Sequence, residues 1–141
     1  MIAKGPFINV WGDPDIDESV EVGAYVEIGD RVKIGPRTTI GAYSFLCPGV
    51  TIGAGVFIGP RVTTTNDTYP PSSRDAWKQT VIHDNASIGA GVVILAGVTI
   101  GRYALVGAGS VVTRDVPDFA IVAGNPSEII RMKEGIVYEQ H

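Results

Sequence analysis

The stretch VEIGDRVKIGPRTTIGAYSFLCPGVTIGAGVFIG, residues 26–59, carries a branched aliphatic side chain at every sixth position. The spacing continues in both directions and is interrupted once. The fifteen lead positions, all Ile, Leu or Val, are Val10, Ile16, Val22, Ile28, Ile34, Ile40, Leu46, Ile52, Ile58, Ile82, Ile88, Ile94, Ile100, Val106 and Val112. A period of six fits neither an α-helix nor an alternating hairpin sheet, so it indicates short strands separated by turns.

Glycine placement indicates where those turns lie. Of the 18 glycines in 141 residues, nine follow a lead position by one residue and five by three residues. Glycine is favoured where φ is positive, and β-branched residues are favoured in strands. Three six-residue units closing a triangle make one coil, and coils stack about 4.8 Å apart. The sequence therefore predicts an all-β fold, a parallel β-helix with Ile16, Ile34 and Ile52 in one interior ladder.

The interruption, near residues 64–81, predicts a loop that protrudes from the β-helix. Continuing the repeat through it would place Arg74 in the core, and burying an unpaired arginine is costly. Pro70-Pro71 cannot join a strand ladder. Residues 10–63 then supply three coils and residues 82–117 supply two, about five in all.

The C-terminal residues, 118–141, complete a single predicted domain that comprises residues 1–141. AIVAG, residues 120–124, is expected to form a short strand. Ser127 is a residue type that caps helices, so we expect a short C-terminal helix over about 128–134.

Composition and charge exclude several function classes. The net charge of −4 provides no basic field for a nucleic-acid backbone, and no run approaches the ~20 apolar residues of a membrane span. The single cysteine, Cys47, forms no intrachain disulfide, which is typical of a reducing compartment. It occupies a glycine position and is expected to face outward. A cytoplasmic protein with neither a nucleic-acid nor a membrane partner is predicted.

Three features resemble the hexapeptide-repeat acyltransferases: the repeats, the loop opening TTNDTYPPS (64–72), and IGAGVVILAGVTIGRYALVGAGSVVTRDVPDFAIVAGNPSEIIR (88–131). The resemblance implies a left-handed β-helix, a homotrimer, and acetyl-CoA bound in clefts between subunits. The γ-type carbonic anhydrases share this fold but need three histidines for zinc, and this chain has two, His83 and His141. No metal is expected.

The C-terminal part of the resemblance implies the cofactor-binding residues. Ala90 and Ala108 are 18 residues apart and stack on one edge, where small residues would let the pantetheine arm lie along the backbone. VTRDVP (112–117) matches family positions that bind CoA, and Arg131 matches a phosphate-binding arginine. The cofactor-binding residues implied are Ala90, Ala108, Thr113, Arg114, Pro126 and Arg131.

The loop distinguishes two activities within the family. O-acetyltransferases acting on sugars and serine use a histidine as general base, because a hydroxyl is a poor nucleophile until it loses its proton. In the sugar enzymes that histidine corresponds to about Asn66–Asp67 here, where this chain has TNDTYP. The TND-x-YP pattern, which includes Tyr69, instead resembles N-acetyltransferases of UDP- or dTDP-linked amino sugars.

The resemblance therefore implies a CoA-dependent N-acetyltransferase in which a neutral sugar amine attacks the thioester directly. The Asn66 carbonyl or the Asp67 carboxylate would orient the amine, although turn chemistry alone would also explain both residues. The alternative is an O-acetyltransferase of a sugar or small molecule with His83 as the base. His83 occupies a glycine position and is expected to point outward.

A second set of candidates lies in an 18-residue column, Tyr25, Tyr43 and Arg61, which ends just before the loop. An arginine there would hold a nucleotide diphosphate while tyrosines stack on a base or sugar. Ordinary exposed turn residues are the alternative interpretation. The candidate substrate-binding residues are Tyr43, Arg61 and Tyr69.

Overall fold

The computed structural model describes residues 1–134. Its strands are β1 Ile2–Ala3, β2 Asn9–Val10, β3 Asp15–Ile16, β4 Glu21–Val22, β5 Glu27–Ile28, β6 Lys33–Ile34, β7 Thr39–Ile40, β8 Phe45–Leu46, β9 Thr51–Ile52, β10 Phe57–Ile58, β11 Thr63–Thr64, β12 Val81–Ile82, β13 Ser87–Ile88, β14 Val93–Ile94, β15 Thr99–Ile100, β16 Leu105–Val106, β17 Val111–Val112, β18 Ala120–Gly124 and β19 Ser127–Met132. A single 3-10 turn, Arg74–Ala76, lies between β11 and β12. No helical segment within residues 1–134 has the length and apolarity that crossing a membrane requires.

The strands form three parallel faces because each pairs with the strand one coil further on. Face 1 is β1-β4-β7-β10-β13-β16-β18, face 2 is β2-β5-β8-β11-β14-β17, and face 3 is β3-β6-β9-β12-β15. Ile16 pairs with Ile34, which pairs with Ile52, as the repeat predicts. The left-handed parallel β-helix is confirmed.

The interior consists of the lead residues. From β4 to β17 the second residue of each short strand is buried and the first is more exposed, so Ile58 is fully buried while Phe57 is half exposed. At the open N-terminal end the lead residue Val10 is 40% exposed. The residue four positions after each lead, such as Val26 or Val56, fills a corner of the triangle and is also buried. Each fully buried Ile or Val side chain contributes about 1.5–3 kcal/mol, so the stacked ladders are the main source of stability.

The prediction of about five coils was too low, because face 1 has seven parallel strands. The outer coils depart from the eighteen-residue period. Ala3 pairs with Val22, nineteen residues on, while Val106 pairs with Val122, sixteen residues on. A search at a fixed spacing misses these coils, although the main chain still stacks in parallel register.

The protruding loop lies where the sequence predicts it, between β11 and β12, and comprises residues 65–80. Thr64 still belongs to the β-helix, since it is buried at a lead position and pairs with Ile94. Ile52 pairs with Ile82, thirty residues on rather than eighteen, so the loop inserts twelve residues without changing the register.

The predicted C-terminal helix is wrong. Residues 127–132 form β19, which turns back antiparallel onto β18, the strand predicted at 120–124. Ser127 is buried in this hairpin and pairs with Gly124 instead of capping a helix. Pairing with the open last strand of face 1 supplies backbone hydrogen bonds that outweigh a weak local helix preference. His141 and the remainder of the predicted segment beyond 134 lie outside the described residues.

The turns stack into three edges. The edge between faces 1 and 2 contains Tyr25, Tyr43 and Arg61, and we call it the aromatic edge. The edge between faces 2 and 3 contains the loop, residues 65–80, and is the loop edge. The edge between faces 3 and 1 contains His83 and is the histidine edge.

Candidate functional site

A groove of about 400 Å³ lies on the loop edge where the loop leaves face 2. Phe45 and Pro48 form one wall, and the loop residues Asn66 and Trp77 form the other. Its lining is mainly apolar, with few polar groups. A groove of this kind, in which a small number of polar atoms fix orientation, is typical of a small-molecule site.

Thr64 sets the point at which the loop departs. Its Oγ1 accepts a hydrogen bond from the Cys47 main-chain N–H at 2.9 Å, a donor that elsewhere in the coils goes to the lead carbonyl of the next coil. The same hydroxyl lies 3.3 Å from the Cys47 Sγ. Cys47 is only 3% exposed, so the expectation that it faces outward is wrong, and burial raises the pKa of its thiol. A buried neutral thiol is a packing group, not a nucleophile.

Asn66 is almost completely buried at the head of the loop. Its Nδ2 donates to the Pro48 carbonyl oxygen at 3.2 Å, and its main-chain oxygen accepts from the Lys78 N–H at 2.8 Å. The first bond fixes the orientation of the carboxamide, and the second closes the loop. Oδ1 is the remaining polar atom of this side chain, and Asn66 lines the groove.

The Asp67 carboxylate accepts hydrogen bonds from two other loop residues and so holds the loop together. One carboxylate oxygen accepts from the Ser72 Oγ at 2.7 Å and from the Tyr69 N–H at 3.2 Å, and the other accepts from the Ser72 N–H at 2.7 Å. These bonds, the Ser72 hydroxyl above all, hold the pKa of the carboxyl below its usual range. An ionised carboxylate with both oxygens engaged is a weak base. The side chain of Tyr69 is 84% exposed and lies outside the groove.

The aromatic edge has a different character. The rings of Tyr25 and Tyr43 are stacked 5.0 Å apart, and the Arg61 guanidinium lies 4.6 Å above the other face of Tyr43. Both faces of Tyr43 are therefore covered by neighbours from the same column. What this residue presents to a ligand is its ring edge and hydroxyl.

Towards the C-terminal end of the aromatic edge, glycines replace the tyrosine and arginine side chains of this column and leave the main chain uncovered. Gly91 and Gly109 occupy the column of Tyr43 and Arg61 with the same positive φ, 71° and 73°, and nothing lies within 4 Å of where a Cβ would be. Ala90 and Ala108 stand beside them and are exposed. An extended ligand could lie here against peptide groups without meeting a side chain.

The other cofactor candidates lie towards the C-terminal end. Thr113 and Arg114 are exposed turn residues of the loop edge. Arg114 lines a cleft of about 380 Å³ together with Ser127 and Glu128 of the terminal hairpin. Pro126, in the hairpin turn, and Arg131, on β19, are both exposed.

The candidates are thus distributed over all three edges of one chain. The loop edge holds Asn66, Asp67, Tyr69, Thr113 and Arg114, the aromatic edge holds Tyr43, Arg61, Ala90 and Ala108, and the histidine edge holds His83. His83 is exposed, as expected for a glycine position, but it is not on the edge that carries Asn66. Within residues 1–134, no three His, Cys, Asp or Glu side chains are grouped so as to hold a metal ion.

Two residues that are not among the sequence-predicted candidates, Trp11 and Arg74, line a second groove that shares Phe45 and Pro48 with the first. Arg74 lies on the loop, with its guanidinium 5.6 Å from the Trp77 ring centroid, and Trp11 is a half-exposed aromatic residue directly after β2. The indole Nε1 of Trp77 is buried and has no hydrogen-bond partner within the described chain. Trp11 could have been found from the sequence, because it is an aromatic residue directly after a lead position. No sequence pattern near Arg74 predicts that it lies beside a groove.

The six-residue repeat that builds this three-sided β-helix matches a known family of bacterial transferases. Residues 31–66 and 79–114, together just over half of the chain, match the family described as bacterial transferase hexapeptide (six repeats). The chain belongs to this family.

Named relatives match parts of the chain. It is 56% identical over 55 residues to dTDP-3-amino-3,6-dideoxy-alpha-D-galactopyranose 3-N-acetyltransferase from Aneurinibacillus thermoaerophilus, covering 39% of this chain and 29% of that protein. It is 47% identical over 62 residues to 2,3,4,5-tetrahydropyridine-2,6-dicarboxylate N-acetyltransferase from Staphylococcus aureus, covering 44% and 24%.

A solved structure extends the likeness to most of the chain. A mutant of GDP-perosamine N-acetyl transferase from Caulobacter crescentus, in complex with CoA and GDP-perosamine, superposes with a TM-score of 0.79 at 27% identity. The match covers 92% of this chain and 56% of that one. This chain therefore spans little more than half the length of that enzyme and less than a third of either sequence relative.

Proposed function

We propose that this protein is an acetyl-CoA-dependent N-acetyltransferase acting on the amino group of a nucleotide-linked amino sugar, with UDP or dTDP as the carrier. The observation that carries the proposal is the anchored carboxamide of Asn66, whose Nδ2 is held by the Pro48 carbonyl in the groove wall. Relatives with N-acetyltransferase names, one acting on a dTDP-amino sugar and one bound to CoA and GDP-perosamine, support this class.

Asn66 would orient the acceptor. A neutral amine donates one N–H to the fixed Oδ1 and keeps its lone pair for the thioester carbonyl carbon. The amide bond forms as the carbon–sulfur bond breaks, and the amine proton leaves with the thiolate or to water. Asp67 takes no proton in this scheme, because Ser72 holds its pKa low.

The residues of the aromatic edge fit the second substrate. Acetyl-CoA supplies an activated acyl group on a long amide-containing arm. The main chain at Ala90, Gly91, Ala108 and Gly109 is not covered by side chains, and we call it the uncovered strip. Its N–H and C=O groups can form hydrogen bonds with the amides of the CoA arm. Arg114 and Arg131 are exposed guanidinium groups suited to phosphate.

Since Asn66 lies on the loop edge and the uncovered main chain at Ala90 and Ala108 lies on the aromatic edge, we propose that the site forms between subunits of a homotrimer, with the loop edge of one chain facing the aromatic edge of its neighbour. Apolar residues on the outer sides of faces 1 and 2 support lateral association. Phe57 and Leu105 on face 1 and Phe45 on face 2 are all more than a third exposed. Sedimentation at several concentrations tests this, and a strictly monomeric active enzyme would contradict it.

A thiol-release assay tests the function. Acetyl-CoA is offered with UDP-, dTDP- and GDP-linked amino sugars and with their hydroxyl counterparts, using the wild type, Asn66→Ala and Asn85→Gly. Asn85 is a matched control, because it is an exposed asparagine on the histidine edge. We expect turnover only with an amino sugar, with kcat/KM reduced about 100-fold in Asn66→Ala and unchanged in Asn85→Gly. Turnover of hydroxyl sugars that His83→Ala abolishes would replace this proposal with O-acetylation.

A further inference from the structure

A second groove, of about 470 Å³, continues from the first along the loop edge towards the N-terminus. Phe45 and Pro48 line both grooves, so the two are adjacent, and we refer to them together as the channel. The far end of the second groove is lined by Trp11, Glu27 and Asp30. Neither the proposed acyl transfer nor the position of Asn66 accounts for this extension.

The channel has a measurable length. Asn66 follows β11 and Trp11 follows β2, and these strands are separated by three steps on face 2, β2-β5-β8-β11. At about 4.8 Å per step, the two ends are roughly 14 Å apart. A sugar amine alone is far too small to occupy this length, whereas a sugar joined through two phosphates to a nucleoside is an extended ligand of suitable size.

Arg74 lies at the junction of the two grooves. It lines the second groove, and its guanidinium is over the ring of Trp77, which lines the first. No carboxylate of residues 1–134 lies within 4.0 Å of it. A guanidinium in this position has donors available for phosphate oxygens.

The charges at the far end determine which way round a ligand would bind. Glu27 accepts a hydrogen bond from the Asn9 Nδ2 at 3.2 Å, and Asp30 accepts one from the Asp13 N–H at 3.1 Å and lies 3.7 Å from the Arg31 Nε. Each carboxylate can accept further hydrogen bonds. They repel a diphosphate but accept the N–H groups on the edge of a nucleobase. Trp11, 57% exposed, offers an indole on which a planar base can stack.

We propose that this channel binds the nucleotide half of the sugar nucleotide, with the base stacked on Trp11 and the diphosphate held by Arg74, so that the amino sugar reaches Asn66. The proposal rests on the function proposed above. It moves nucleotide recognition from Tyr43 and Arg61, where both faces of the tyrosine ring are already covered, to the loop edge.

CoA also contains a nucleotide, so the source of the bound base must be distinguished. Thr113 and Arg114, the CoA candidates of this edge, follow β17, two steps beyond β11 on the side away from Trp11. The channel runs in the opposite direction from Asn66. We therefore assign it to the acceptor nucleotide.

Tryptophan fluorescence provides a direct test, because the chain has two tryptophans and both line the channel. In Trp77→Phe the remaining emission comes from Trp11. We expect dTDP, UDP or GDP, added without sugar to the full-length protein, to quench this emission saturably. Free tryptophan treated identically corrects for absorption by the nucleotide. Calorimetric titration measures affinity in variants that lack Trp11.

We expect Arg74→Gln to weaken nucleoside diphosphate binding about tenfold or more and Trp11→Ala to weaken it by a similar factor. Arg37→Gln, an exposed arginine of the histidine edge, is the matched control and should change nothing. Circular dichroism of each variant checks that the β-helix is intact.

Three outcomes would overturn the proposal. If nucleotide binds but only Arg61→Gln weakens it, the base lies on the aromatic edge and the acetyltransferase assignment stands. If CoA quenches Trp11 and no other nucleotide does, the channel belongs to the acyl donor. If none of the three nucleoside diphosphates binds while acetyl-CoA does, both the channel assignment and the nucleotide-linked acceptor are wrong.

Discussion

The aromatic edge and the loop edge are built by the same repeat, yet their side chains end up in opposite situations. On the aromatic edge, the Tyr43 ring stacks on Tyr25 at 5.0 Å and on the Arg61 guanidinium at 4.6 Å, so these side chains contact one another. On the loop edge, Asn66 is buried with its carboxamide fixed by Pro48, and the Trp77 Nε1 is buried without a partner. The column of Tyr25, Tyr43 and Arg61 is occupied by contacts within itself, whereas the loop edge holds a buried indole N–H that the described residues leave without a partner.

The difference arises from twelve inserted residues. Pairing of Ile52 with Ile82 is the same as it would be without the loop, so the insertion does not disturb the core. The β-helix therefore provides a rigid base, and the loop adds a wall above it. A site assembled in this way can change its ligand by changing the loop while the ladders remain.

The largest expected effect is a difference in catalytic activity between a variant of the loop edge and a variant of the aromatic edge. Asn66→Ala should lower kcat/KM for the amino sugar about 100-fold, because the amine loses its orienting acceptor. Tyr43→Gly, which suits the positive φ of 64° at this position, should change kcat/KM less than about threefold. Steady-state kinetics on both variants makes the comparison. Equal losses would show that the aromatic edge also holds the acceptor.

A second prediction concerns the uncovered strip of the aromatic edge. Ala108→Leu should raise KM for acetyl-CoA about tenfold and leave KM for the amino sugar unchanged, since the new side chain would occupy the strip beside Gly109. Ala54→Leu, at the equivalent turn position of the histidine edge, serves as control. An unchanged KM for acetyl-CoA in Ala108→Leu would remove this strip from the donor site.

A third prediction concerns the start of the loop. Thr64→Val keeps the shape of the buried side chain but removes the acceptor of the Cys47 N–H, so the free energy of unfolding should fall by about 1–3 kcal/mol. Thr63→Val, the outward neighbour on the same strand, should change it by less than about 0.5 kcal/mol. Urea unfolding measures both. Equal stabilities would mean that the hydroxyl does not hold the loop.

The smallest expected effect is a change in loop order that occurs only at acidic pH, where the Asp67 carboxylate becomes protonated. The folded-state pKa of Asp67 is below its unfolded value, so its contribution to loop order is present above the unfolded pKa and is lost as pH falls through the folded pKa. Ser72→Ala should raise the Asp67 pKa, which NMR titration of the carboxyl measures, and shift this loss to higher, still acidic pH. Between pH 6 and 8 the pH–rate profiles of the two proteins should coincide in shape; an ionisation in this range that Ser72→Ala shifts would implicate Asp67 as a base.

The sequence determined the β-helix because its repeat is local. Each coil repeats the same sequence pattern, an aliphatic lead residue followed by a turn. The pairing of Ile16 with Ile34 and of Ile34 with Ile52 could therefore be predicted from the sequence. The loop was equally visible, because Arg74 and Pro70-Pro71 do not fit an interior ladder. Asn66 was found through a family resemblance, and its anchoring to Pro48 is a contact across one coil that no local pattern contains.

The tertiary structure decided what depends on contacts between distant residues. The hairpin of β18 and β19 replaced a helix because an open strand edge was available for pairing. Cys47 is buried at its glycine position, where the Thr64 hydroxyl, seventeen residues away, meets its N–H and Sγ. The placement of Trp11, Arg74 and Asn66 along one channel follows from stacking four coils and folding a loop over them, which composition and spacing along the chain do not specify.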